Sequence, residues 1–174
     1  TDYCDYPQGA ASIPSMGDLF TPSIEKIVAV DPDVVILSTL GHEQTITALE
    51  QAGLHVAYLN ESETMEGTFR LIQSVGRLTG KRSQAEALIA QMQATIATVE
   101  NTIATRARPR VYYVAGFGQW GDFTATGDTF IHDIINLAGG ENIASDATNW
   151  SFQLELLLER DPDIIILPPS WGST

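Results

Sequence analysis

The sequence predicts an α/β fold: two similar αβ lobes with parallel sheets, joined by one long helix. Three observations predict it. Residues 24 to 37 (IEKIVAVDPDVVIL) are echoed by residues 154 to 167 (LELLLERDPDIIIL), at one constant offset of 130 residues. Each copy is a short apolar helix pattern, an acidic proline turn that no helix continues through, and a β-branched run that reads as a buried parallel strand. Between the copies, helical and strand periods alternate, as βαβ units require. A long amphipathic stretch then separates the two halves.

In chain order, the helix, turn and strand of 24 to 37 come first. Residues 43 to 52 follow as a helix closed by Gly53, and HVAYL (55 to 59) as a strand. The next helix covers 63 to 79 and stops at Gly80. Ser83 and Glu86 then form a capping-box pattern, with apolar residues at Ala85, Leu88, Ile89, Met92, Ile96, Val99 and Ile103. At 1.5 Å per residue this helix, 83 to 106, is long enough to reach roughly 35 Å, from one lobe to another. Pro109 ends it, RVYYV (110 to 114) is the next strand, and a helix over 128 to 138 is opened by Asp128 and closed by Gly139 and Gly140. The domains expected are an N-terminal lobe over 1–80, an inter-lobe helix over 81–108 and a C-terminal lobe over 109–174, both lobes Rossmann-like. The echo leaves each half short of an αβ unit that the other half has. The expectation is therefore a chain truncated at both ends.

With 174 residues, 44% of them apolar, the chain is long enough to bury a real core. Asp and Glu total 22 against nine Lys and Arg, a net charge of −13 that argues against nucleic acid or an anionic membrane and suits a cationic partner. Cys4 is the only cysteine, so no internal disulfide or thiolate metal cluster can form. No apolar run is long enough to span a bilayer.

After the strand 110 to 114, Gly116, Gly118 and Gly121 spell G-x-G-x-x-G, a dinucleotide-binding pattern that would make the chain an NAD-dependent enzyme. In such a turn the last glycine lies in the opening turn of a helix. Here Gly121 is followed by DFTATGD, and helical spacing starts only near Asp128. The histidines, His42, His55 and His132, lack metal-ligand spacing and read as solvated or packed side chains, so no metal is expected. No G-x-S-x-G elbow accompanies any serine, and no catalytic residue is assigned. Aromatic residues instead gather where strands end: Phe117 and Trp120 after 110 to 114, Trp171 after 163 to 167, and Tyr58 within 55 to 59. Tyr3 and Tyr6 stand in the N-terminal loop, and Trp150 precedes the helix at 152. In open parallel sheets ligands sit beyond the carboxyl ends of strands, and aromatics there line a cleft for a large, flat or greasy ligand.

TDYCDYP, PS-x-EKI-x-A-x-DPDVVIL, TF-x-x-DII-x-LAGGENIA and W-x-x-x-x-E-x-LL-x-x-DPDIIIL resemble, in register over nearly the whole chain, the class III periplasmic binding proteins of ABC importers. Members of that family carry cobalamin, iron-siderophores or haem between two αβ lobes joined by one long helix. The resemblance implies a non-catalytic, monomeric capture protein without a cofactor, held outside the cytoplasmic membrane in the periplasm or as a lipoprotein. It implies a metal chelate as ligand, a corrinoid ahead of a ferric siderophore and then haem. By position Trp150 matches a ligand-contacting tryptophan of cobalamin-binding members, and Tyr58 another aromatic. Ser38 stands where such members can carry a tryptophan after the first repeat strand. Family members dock on the permease through one glutamate per lobe, matched here by Glu43 and Glu155, with Glu25 the internal counterpart of Glu155.

Overall fold

The computed structural model describes residues 6–18, 21–38, 43–118 and 121–167. Contacts divide the chain into two compact units, 1–61 and 62–174.

In the first unit, a 3-10 turn over Gln8–Ser12 leads to α1 (Ile24–Val30). The hydroxyl of Ser23 caps α1 by accepting the Lys26 N–H, which satisfies one of the free amides of its first turn. Asp31 ends α1 in the left-handed region at φ 51°, and Pro32 bars any continuation. Strand β1 (Val35–Ser38), helix α2 (Glu43–Gln51) and strand β2 (Val56–Leu59) complete the unit. Strands β1 and β2 pair in parallel, with Leu37 opposite Tyr58 and Ser38 opposite Leu59. Ile27 of α1 and Leu49 of α2 are its buried apolar residues among those described.

The second unit begins with α3 (Met65–Leu78), capped by Thr64, and α4 (Arg82–Ile103). The capping box expected at Ser83 and Glu86 does not form. Lys81 is the N-cap and makes no side-chain cap bond, because helix geometry is already set when its carbonyl takes the Ala85 N–H at 3.0 Å. At 22 residues, α4 is nonetheless the long helix that the periodicity predicts. Strand β3 (Arg110–Gly116) then runs through the unit. It is followed by β4 (Phe123–Thr124), α5 (Phe130–Leu137), β5 (Glu141–Asn142), α6 (Leu154–Arg160) and β6 (Ile164–Ile166). Helix α5 is opened by Thr129, whose hydroxyl accepts the His132 N–H, and not by Asp128, whose carboxylate is engaged elsewhere.

Strands β5 and β6 lie parallel to β3, whereas β4 is antiparallel to it. Successive β3 residues feed opposite faces, as strand geometry dictates. Tyr112 packs with Ile143, Ala144 and Phe152, while Val111 packs with Ala125 and Ile135. A strand covered on both faces reads in sequence as the unbroken apolar run RVYYV. The echo is visible in three dimensions, since Asp161 ends α6 in the left-handed region at φ 40°, as Asp31 ends α1. The β6 strand departs from expectation. Ile164, Ile165 and Ile166 are 45%, 55% and 39% exposed, because β3 is the one strand that pairs with it among the described residues and no described helix covers its faces.

Candidate functional site

Of the described candidates, Ser38, Tyr58 and Phe117 stand at or just beyond the carboxyl ends of strands. In the first unit, Ser38 and Tyr58 stand at adjacent register positions at the end of the parallel pair, both exposed. Glu43 opens α2 and is exposed, as is Glu25 in the first turn of α1. A carboxylate at such a place is favoured by the helix dipole whatever else it does. Tyr6 is 87% exposed, with no described core against it. Tyr3 and His42 lie outside the described residues.

In the second unit, β3 ends at Gly116 and the chain turns back into β4. Gly118 and Gly121 adopt φ 113° and 111°, and the Gly121 N–H donates to the Gly118 carbonyl at 2.9 Å. That conformation is open to glycine and strained for other residues. The glycine triplet is therefore a strand-to-strand connection. A dinucleotide turn would open a helix with its amides toward the phosphates; here antiparallel pairing uses the backbone instead. Phe117, between the glycines, is 69% exposed. Trp120 and Trp171 lie outside the described residues.

Trp150 is half-buried and held through its backbone. Asn149 and Trp150 take φ of 58° and 62°, two successive non-glycine residues in the left-handed region, a conformation costing about 1–2 kcal/mol per residue. Four contacts hold it. The Asn149 N–H donates to Asp128 Oδ2 at 3.0 Å, and the Trp150 N–H to Thr126 Oγ1 at 3.0 Å. The Thr126 hydroxyl in turn donates to Asp128 Oδ1, and the Trp150 carbonyl accepts the Thr124 N–H at 2.9 Å. The Asn149 amide, then the Thr126 hydroxyl, keep the Asp128 carboxyl below the usual carboxylate range. Beyond Trp150, Phe152 is buried against Tyr112 with ring centroids 5.9 Å apart, and the Arg160 guanidinium lies 5.3 Å from the Phe152 centroid. Phe152 thereby anchors the start of α6, whose first turn carries the exposed Glu155.

His132 is a packed side chain, with Nδ1 3.1 Å from Asn142 Nδ2 and Nε2 2.8 Å from the Asn136 amide. His55 is exposed at the entry to β2. Among the described residues no group of three or more His, Cys, Asp or Glu converges. A groove of about 420 Å³ between α3, α4 and α5 is lined by Met65, Phe69, Ile96 and Leu137, and by none of the candidate aromatics. Sequence reasoning missed Thr124, Thr126, Asp128 and Asn142. The one local signal for them is T-x-D ahead of a helix, where short polar side chains bond nearby backbone.

Two units built on parallel strands, with aromatic side chains at strand ends, define the class as an α/β scaffold. A family profile, the periplasmic binding proteins, matches residues 1–173, and the chain belongs to that family. A cobalamin-binding protein of Halobacterium salinarum is 32% identical over 161 residues, covering 89% of this chain and 42% of the relative. An uncharacterised ABC transporter substrate-binding lipoprotein, YvrC of Bacillus subtilis, is 23% identical over 92% of this chain and 53% of its own length. The crystal structure of a periplasmic heme-binding protein from Pseudomonas aeruginosa superposes with a TM-score of 0.78 at 25% identity, over 93% of this chain and 60% of that one. This chain thus spans about half the length of these curated relatives. The α/β fold class expected from the sequence is the fold of this family.

Proposed function

We propose that the whole protein is the extracytoplasmic solute-binding component of an ABC importer, which captures a metal chelate and delivers it to the permease. One observation carries this reading: the match to periplasmic binding proteins over residues 1–173. A corrinoid is the ligand favoured, since the relative at 32% identity is a cobalamin-binding protein; a ferric siderophore or haem comes next. The protein works outside the cytoplasmic membrane, in the periplasm or as a surface lipoprotein, the latter supported by the lipoprotein relative. Among the described residues no helix is long and apolar enough to cross a membrane.

Capture is non-catalytic and needs no cofactor, and the protein acts as a monomer. Its lobes are 1–80 and 109–174, with the helix of 81–108 between them. Tyr3, Tyr6, Ser38, Tyr58, Phe117, Trp120, Trp150 and Trp171 contact the ligand, and Glu43 and Glu155 meet arginines of the permease. Exposed aromatic surface at a strand end supports the first role: Tyr58, in β2, is 40% exposed. Tryptophan fluorescence of the full-length protein, titrated with cyanocobalamin, a ferric hydroxamate and haem, tests the ligand class. Saturable quenching by cyanocobalamin at the lowest concentration is expected, and no saturable quenching by any of the three would overturn the reading.

A further inference from the structure

We propose that Asp128 and Thr126 are positioning residues, a clamp that holds Asn149 and Trp150 in their left-handed conformation and thereby fixes the direction in which the indole is presented. The inference rests on the reading of Trp150 as a ligand-contacting residue. A hydroxyl has one hydrogen to give. Because Thr126 gives it to Asp128, its oxygen is left to accept the Trp150 N–H. The carboxylate, an acceptor only, therefore sets the polarity of the whole chain of bonds, and its second oxygen takes the Asn149 N–H. Thr124 adds the bond to the Trp150 carbonyl. Thr124 and Thr126 are both fully buried, so water cannot substitute for them.

Asparagine enters the left-handed region more readily than most residues, but the bulky Trp150 does not, and here the two are adjacent. Once released, the pair has lower-energy right-handed and extended alternatives, and each sends the Trp150 Cβ in another direction. Aromatic contact with a flat ligand depends on ring orientation. The clamp is thus the part of the scaffold that converts a strained loop into one defined aromatic surface.

The test uses the full-length protein labelled with 5-fluorotryptophan, its Trp150 resonance assigned by Trp150→Phe. A single Trp150 fluorine line is expected in the parent and in Thr126→Ser, which keeps the hydroxyl. Thr126→Val and Asp128→Ala are expected to broaden or split it; Asp128→Asn, which keeps one acceptor oxygen, stands in if the alanine variant does not fold. Cyanocobalamin affinity is expected to fall about tenfold in Asp128→Ala and to change less than about twofold when the same substitution is made in Trp150→Ala. An unchanged fluorine line in both clamp variants overturns the proposal, as does an equal loss of affinity in both backgrounds. If the parent protein does not bind cyanocobalamin, the corrinoid reading falls, and the fluorine lines still decide the clamp.

Discussion

The polar side chains that order the second unit are buried threonines and one asparagine, and Asn142 shows how much one of them holds. It is 1% exposed; its Nδ2 donates to the Ala125 carbonyl at 2.7 Å and its Oδ1 accepts the Ala144 N–H at 3.1 Å. Those two bonds fix which end of the amide faces His132, so Nδ2 donates to His132 Nδ1. Asn142→Ala strips partners from the Ala125 carbonyl and the Ala144 amide in a place that water does not reach. Each orphaned group costs about 1–3 kcal/mol, so a loss of roughly 3 kcal/mol in urea unfolding is expected. Ser145→Ala, at an exposed neighbour, is expected to stay within about 0.5 kcal/mol. Equal midpoints for the two variants would show that the asparagine network is not what holds this loop.

At the scale of elements, α3 and α4 meet through a glycine. A Cβ on Gly76 would stand 2.5 Å from the Ala85 Cβ, too close for two carbons. Alanine is the better helix former by about 0.5–1 kcal/mol, but overpacking costs about 1–3 kcal/mol, so packing wins. Gly76→Val is therefore expected to lower the thermal midpoint, and Ala85→Gly in the same chain to restore part of it; a midpoint that rises with valine would refute the close approach. This contact also explains what could be read in advance. Helix periods, glycine stops and the doubled αβ unit with its Asp-Pro-Asp turns are local signals, and all have counterparts in the structure. The start of α4 is not local. Docking on α3 places it at Lys81, ahead of the Ser83 and Glu86 pattern. Strand β4 is two residues long and held by pairing with β3, too short to carry a period. Asp128 looks like a helix cap in sequence because the Asn149 amide, 21 residues away, is brought to it only by folding, while its other partner, Thr126, is local. The glycine triplet was legible for a related reason: no helical spacing follows it, and the structure puts a strand there.

For the whole molecule the governing quantity is charge. The net −13 leaves few cations to offset it, and among the described residues Arg70, Arg110 and Arg160 are taken up in ion pairs within the chain. Arg110 pairs with Asp163 at 3.1 Å and Arg160 with Asp146 at 2.6 Å. Those pairs sit around the sheet of the second unit, while Glu43 and Glu155 remain exposed at helix starts, each on a different unit. An acidic surface carrying exposed carboxylates is drawn to a cationic partner over a distance set by the Debye length, about 10 Å at 0.1 M salt and about 3 Å at 1 M. Steering of this kind acts on the association rate more than on the lifetime of the complex. If Glu43 and Glu155 are the docking residues, reversing both (Glu43→Lys with Glu155→Lys) in the full-length protein should slow association with the permease at least tenfold. It should also weaken the salt dependence of the remaining association and leave cyanocobalamin affinity within about twofold. Each single reversal should give a smaller loss, and the parent should bind fastest at low salt. Uptake and association rates that match the parent in the double variant would remove these two glutamates from the interface, and a salt-independent parent would remove electrostatics from docking altogether.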